Sequence, residues 1–230
     1  MKVYGLQKLT LLDYPGHTAA TVFTGGCNLR CPFCHNALLV TEVGDCESYE
    51  ETYVLDFLKK RQGILDGLAI TGGEPLLQKD IRPFIEKVRA LGFSVKLDTN
   101  GCFPEKLKEL VEAGLLDYVA VDVKNSRERY GETVGVPDFD LRPVEETVEF
   151  LKQGKVPYEF RTTVVRELHT TEDIGKIGQW IAGADRYFLQ NFVDSGALIG
   201  EGFHAHEKAV LKEMRDLAAH FVKSAEVRGI

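Results

Sequence analysis

The chain has 230 residues, of which 44% are hydrophobic and 27% charged, and its formal net charge is −7. One domain with a barrel-sized core fits that length, and wholesale disorder does not fit that composition. No apolar run nears the roughly 18 residues of a membrane span, the opening Met1–Gly16 lacks an apolar signal segment, and an acidic chain lacks the clustered Lys and Arg of a nucleic-acid binder. A cytoplasmic protein with neither membrane nor nucleic acid as a partner is therefore expected.

In chain order, Lys2 to Leu12 reads as a short hairpin within an N-terminal region of residues 1–17. A strand at Thr18–Phe23 precedes a cysteine-rich loop. The helix at Tyr49–Arg61 has Ser48 as its expected N-cap, with Glu51 completing a capping box and Gly63 at the exit. Strand–helix pairs then recur at Leu68–Thr71 and Ile81–Leu91, at Ser94–Asp98 and Pro104–Ala113, and at Tyr118–Val123 and Pro143–Gln153. Two more pairs are Tyr158–Val165 with Glu172–Ala182, and Tyr187–Phe192 with Ala205–Val222. Residues 18–222 thus hold the repeated units and 223–230 read as a C-terminal tail, all within a single domain of residues 1–230. Six units fall short of a complete eight-fold barrel, which takes about 250 residues. An α/β fold with a partial (β/α)6 TIM-like barrel is expected. A doubly wound sheet is the alternative that the pattern leaves open.

The unusual polar residues sit where strands end. Cys27 follows the first strand, Gly72-Gly73-Glu74 the second, and Asp98-Thr99-Asn100-Gly101 closes the third. Asp122 and Lys124 end the fourth, Arg161 lies in the fifth and Gln190-Asn191 closes the sixth. Carboxyl ends of parallel strands form the binding face of such folds. Alternation puts Asp122 with Lys124, and Glu159 with Arg161 and Thr163, on shared faces. If those faces point inward, the charges must pair with one another or with a charged ligand, because an unpaired buried charge costs several kcal/mol.

Cys27, Cys31 and Cys34 form a C-x3-C-x2-C motif. Three thiolates on a short loop can hold three corners of one metal centre. A structural zinc would want a fourth ligand, and His35 is the available one, but it adjoins Cys34 and is poorly placed to close the same tetrahedron. An iron–sulfur cubane takes four thiolates as a rule, so three leave one iron open.

With an aromatic residue, Phe33, before its last cysteine, this motif resembles the signature of radical S-adenosylmethionine (SAM) enzymes. Gly72-Gly73-Glu74 is similar to that superfamily's second motif. Asp13-Tyr14-Pro15-Gly16, the cysteine motif, His35-Asn36, Asp98-Thr99-Asn100-Gly101 and Asp122-Val123-Lys124 together resemble the activating enzymes of glycyl radical enzymes. Within these, the chain is most similar to the family of anaerobic ribonucleoside-triphosphate reductase activating proteins.

The resemblance implies a radical SAM barrel and one [4Fe–4S] cluster on Cys27, Cys31 and Cys34, with SAM on the open iron. Reductive cleavage of SAM would release methionine and a 5′-deoxyadenosyl radical. That radical would take a hydrogen from a backbone glycine of a partner glycyl radical enzyme. It further implies an electron donor of the flavodoxin or ferredoxin type. Gly72, Gly73 and Glu74 would bind the SAM amino group, and Lys124 and Arg161 its carboxylate or other oxygens. Phe33 would flank the adenine. Thr99 and Asn100 fall at cofactor-binding positions, and Asp98 and Asp122 would hold a monovalent cation beside the carboxylate. The rival readings are a radical SAM enzyme acting on a small molecule or peptide, and a non-catalytic iron–sulfur or zinc protein.

Cys46 and Cys102 read as plain buried thiols. Trp180 reads as packing, His204 and His206 as surface, and His17, His169 and His220 as structural or exposed. Pro15-Gly16 is followed by His17-Thr18, where formate-lyase-type activases have an apolar residue and then Arg. That segment is expected to meet the partner's glycine loop, so the departure bears on target identity.

Overall fold

The computed structural model describes residues 1–229. The chain opens with β1 (Lys2–Val3), β2 (Gly5–Thr10), β3 (Ala19–Thr24) and a short α1 (Ala37–Thr41). It continues through β4 (Tyr49–Glu50), α2 (Glu51–Lys59), β5 (Gly67–Gly72), α3 (Ile81–Ala90), β6 (Ser94–Thr99) and α4 (Pro104–Glu112). Next come β7 (Tyr118–Asp122), α5 (Tyr130–Val134), α6 (Arg142–Lys152), β8 (Tyr158–Val164) and α7 (Thr171–Trp180). The chain closes with β9 (Tyr187–Asn191), α8 (Lys208–Ala218) and β10 (Ala225–Arg228).

The main sheet has the order β10-β9-β8-β7-β6-β5-β3-β2. All neighbours are parallel except β2, which runs antiparallel to β3. The parallel strands lie side by side in chain order and never reverse. A doubly wound sheet reverses at its switch point, so this is the single winding of a barrel. Among the described residues β2 and β10 do not pair, and the barrel stays open between them. Alternation sorts the side chains. Val22, Ile70, Leu97, Val121 and Phe160 face the helices and are fully buried. Thr21, Ala69, Lys96, Asp98, Asp122, Glu159 and Arg161 fall on the opposite, inner face. No helix among the described residues is long and apolar enough to cross a membrane.

Several sequence expectations change. The segment Lys2–Leu12 does not fold on itself as a hairpin. β1 pairs with the two-residue β4, and β2 pairs with β3, whose apolar side chains are almost all buried and give β2 a core edge to join. The Tyr49–Glu50 pairing also moves the start of α2. Its N-cap is Glu50, with no side-chain cap, and Ser48 plays no part. Glu51 is drawn instead to the Met1 ammonium at 2.8 Å. A capping box forms elsewhere, between Thr170 and Asp173 at the start of α7. α8 begins at Lys208, not Ala205. The residues read as a tail include β10, which extends the sheet in parallel beside β9.

Candidate functional site

The cysteine loop leaves β3 through Gly25 and Gly26 and is held at several backbone points. Gly26 N–H donates to Leu39 O at 2.7 Å, Arg30 N–H to Val134 O at 2.9 Å, and Gly200 N–H to Pro32 O at 2.7 Å. The neighbouring strand end is locked to it. Gly73 N–H donates to Thr24 O at 2.8 Å and Glu74 N–H to Gly26 O at 2.8 Å, while Asn36 Nδ2 donates to Gly72 O at 2.9 Å. Gly72 has φ +116°, a conformation open only to glycine, and a Cβ on Gly73 would lie 2.0 Å from Gly26 O. Gly72-Gly73 is therefore more than a turn, since two backbones meet here at a separation that excludes any side chain.

This close approach carries a prediction. Gly73→Ala sets a methyl group against backbone that cannot swing aside. Overpacking costs about 1–3 kcal/mol, and a backbone clash belongs at the upper end. At roughly 2–4 °C per kcal/mol for a chain of this size, the midpoint should fall by about 6–12 °C. Gly44→Ala, where a Cβ meets nothing within 4 Å, should leave it unchanged. Differential scanning calorimetry distinguishes the two, and equal midpoints would remove the role given to Gly73.

Cys27, Cys31, Phe33 and Cys34 line one wall of a cleft of about 170 Å³, and Thr71, Gly72 and Gly73 line another. Asp98, Thr99, Asn100, Asp122 and Lys124 complete it from the neighbouring strand ends. Phe33 is 4% exposed and meets the buried His169 edge-on at 6.4 Å. His169 Nε2 bonds the Lys124 carbonyl at 2.7 Å, tying this wall to the end of β7.

Charges inside the barrel pair into one chain. Lys96 bonds Asp98 Oδ1, Arg161 bonds Asp98 Oδ2 at 3.1 Å and Asp122 Oδ1 at 2.9 Å, and Lys124 bonds Asp122 Oδ2 at 3.0 Å. Below it Glu159 accepts two bonds from Arg228, at 3.0 and 3.1 Å. Burial opposes ionisation of Asp98 and Asp122, but Arg161, with Lys96 or Lys124, outweighs it and holds both carboxyls below their usual range. Burial likewise opposes the charge on Lys124, and Asp122 and then Cys31 overcome it, raising its pKa.

Three sequence-derived roles look different in this setting. Arg161 is spent on Asp98 and Asp122 and does not line the cleft. All four carboxylate oxygens of Asp98 and Asp122 are already paired, so a monovalent cation would have to displace Lys96, Lys124 or Arg161. Glu74 is fully buried behind the wall. Its Oε1 accepts from Leu76 N–H at 3.0 Å and Thr99 Oγ1 at 2.8 Å, and its Oε2 from Asn100 N–H at 2.7 Å. Burial pushes its pKa up to about 7 despite these bonds. Glu74 thus joins the end of β5 to the end of β6 and shapes the cleft from behind.

The remaining candidates also find places. Trp180 packs edge-on to Tyr130 at 6.0 Å. His204 and His206 precede α8, where His204 bonds Glu167 at 2.9 Å and His206 bonds His169 O at 2.9 Å. The loop Asp13–Gly16 lies at the N-terminal end of β3, with Asp13 accepting from Thr21 Oγ1 at 2.6 Å and Tyr14 buried beside Tyr118. The cysteines lie at the other end of that strand, so this loop does not border the cleft. Lys96, Asn28, Val40 and Ile199 were not singled out from sequence. Lys96 has a legible signal, since it shares the inward alternation of Asp98. Ile199 reaches the cleft from a long loop and has none.

The donor set fits a cluster. Burial pushes the Cys31 thiol up to about 12, so the chain alone does not stabilise a thiolate there and a cationic metal core would. Two N–H groups already point at Cys27 Sγ, from Leu29 N at 3.4 Å and Asn100 Nδ2 at 3.7 Å. Among the described residues no three His, Cys, Asp or Glu converge tightly enough to share a single ion. Thiolates that each bind a different iron need not converge in that way.

Residues 21–181 match the family described as the Radical SAM superfamily. A Methanocaldococcus jannaschii protein, provisionally described as a glycyl-radical enzyme activating enzyme, is 33% identical over 99% of this chain and 96% of its own length. The pyruvate formate-lyase-activating enzyme of Listeria monocytogenes is 27% identical over 78% of this chain and 75% of its own. Among solved structures, Streptococcus suis SuiB superimposes with a TM-score of 0.72 at 14% identity, over 91% of this chain and 48% of that one, a likeness of fold.

Proposed function

This chain belongs to the radical SAM superfamily, and from that premise we propose that it activates a glycyl radical enzyme. The supporting observation is that three cysteines and the Gly72-Gly73 edge line facing parts of one cleft, in a chain similar along its whole length to a protein described as such an activating enzyme. Bound there, a [4Fe–4S] cluster held by Cys27, Cys31 and Cys34 together with SAM would supply the one-electron cleavage of SAM and the removal of hydrogen from a partner's glycine.

The chain's own residues bind and shield. Backbone at Gly72-Gly73 offers the polar edge for the SAM amino group, and Lys124, which lines the same cleft, offers an ammonium for its carboxylate. Phe33 supplies an apolar face for the adenine. Thr99 and Asn100, fixed by Glu74, and Asp98 and Asp122, fixed by Arg161, hold the strand ends in place. A flavodoxin- or ferredoxin-type protein donates the electron, and the partner is anaerobic ribonucleotide reductase. A cytoplasmic setting suits a cluster that depends on free thiols.

The test is electron paramagnetic resonance. Reconstituted protein, SAM and reductant are mixed anaerobically with an anaerobic ribonucleotide reductase and, separately, a formate lyase. A glycyl radical doublet on the reductase alone is the expected result. A doublet on the other partner corrects the target. SAM cleavage that transforms a small molecule with no polypeptide radical refutes activation, and no SAM cleavage under strong reductant refutes the whole reading.

A further inference from the structure

Of the three cysteine sulfurs, Cys27 Sγ is the one that accepts hydrogen bonds among the described residues, from Leu29 N–H and from the Asn100 side chain. The second donor is held with unusual care. Asn100 is 6% exposed. Its backbone N–H is fixed by Glu74 at 2.7 Å. Its Oδ1 accepts from Cys102 N–H at 3.0 Å, and its Nδ2 donates to Asn28 Oδ1 at 2.8 Å as well as to Cys27 Sγ at 3.7 Å. A backbone N–H can only donate. The Cys102 bond therefore settles which end of the amide is oxygen and turns the NH2 toward the sulfur.

We infer that Asn100 is a positioning residue that sets the reduction potential of the cluster through the Cys27 sulfur. The inference rests on the cluster assignment proposed above. Reduction adds one electron from an external one-electron donor to a centre held by three thiolates, and the added negative charge spreads onto the sulfurs. An N–H dipole aimed at a sulfur stabilises the reduced form more than the oxidised form and so raises the potential. In a buried site that dipole is weakly screened. Asn100 thereby acts on the electron-transfer step in addition to any contact with SAM. Glu74 and Asn28, which hold Asn100, support that role without touching the sulfur.

The test compares cluster midpoints in SAM-free reconstituted protein by potentiometric titration, monitored by electron paramagnetic resonance. Iron and sulfide are assayed in parallel. Asn100→Ala removes the donor and should shift the midpoint to more negative potential. Asn100→Asp keeps the acceptor for Cys102 N–H but puts negative charge by the sulfur, and should shift it further in the same direction. Coincident midpoints at equal iron and sulfide content overturn the inference while leaving the proposed function intact. A wild-type protein that takes up no cluster overturns both. If neither variant retains iron, wild-type protein carrying asparagine labelled with ¹⁵N in the side-chain amide decides. A nitrogen coupling in the pulsed spectrum of the reduced cluster is expected, and its absence refutes the contact.

Discussion

Replacing Cys27, Cys31 or Cys34 singly by Ala should reduce SAM cleavage to the background of the uncatalysed reaction. Cys27 Sγ accepts from Leu29 N–H at 3.4 Å and Asn100 Nδ2 at 3.7 Å, two weak sulfur contacts whose loss alone would not abolish activity. Cys31 is 8% exposed and packs in the core, but Ala deletes one sulfur atom and leaves at most a small cavity, so the fold should survive. What is lost is a corner of the cluster, and a cubane held by two thiolates is not retained. The measurements are iron and sulfide content, the visible absorption of the cluster, and 5′-deoxyadenosine released with dithionite as reductant. Cys46→Ala is the control. That thiol donates to Glu42 O at 3.5 Å across the 3-10 turn after α1 and lies outside the cleft, so both iron content and cleavage should match the parent chain. Full activity in any of the three motif variants would remove the cluster assignment.

These residues were legible because their signals are local. The spacing of Cys27, Cys31 and Cys34 lies within one loop, and the polar strand ends are visible wherever an apolar run stops. The alternation that groups Asp122 with Lys124 also groups Lys96 with Asp98, so the buried charge chain was readable nearly whole. What was hidden depends on partners distant in sequence. Lys2–Leu12 looks like a hairpin until β3 and β4, distant in sequence, take its two strands as partners. Ala225–Arg228 is too short and polar to read as a strand, and only the open edge of β9 makes it one. Its Arg228 then supplies the close counter-charge for Glu159, for which the sequence offered Arg161 alone. Glu74 is the sharpest case. Its position beside Gly72-Gly73 marks it for the cleft, yet its carboxylate turns inward because three donors, on Leu76, Thr99 and Asn100, converge behind the wall.

The same chain of buried charges makes Arg161 the residue whose loss should cost most stability. Its guanidinium is 11% exposed and bridges Asp98 and Asp122, and no neighbour can take over both carboxylates. Arg161→Met keeps the packing volume of the stem but strands two acids with one ammonium each. Breaking a buried pair by removing one partner costs about 3–5 kcal/mol. For a chain of this size that corresponds to a midpoint lower by roughly 6–20 °C at neutral pH. The pH dependence tests the cause. Asp98 and Asp122 have pKa values below the ordinary 3.8, so their contribution is present above about pH 4 and is lost as pH falls through the folded values. Without Arg161 those folded values rise, and less remains to lose on acidification. The gap between wild type and Arg161→Met should therefore be widest near pH 7 and narrow steadily below pH 4. Adding Asp122→Asn to the variant should recover part of the neutral-pH loss, because it removes one of the stranded charges. Calorimetry across that range decides the matter. A gap that stays constant with pH, with no recovery in the double variant, would assign the loss to packing and leave the ion chain without a role in stability.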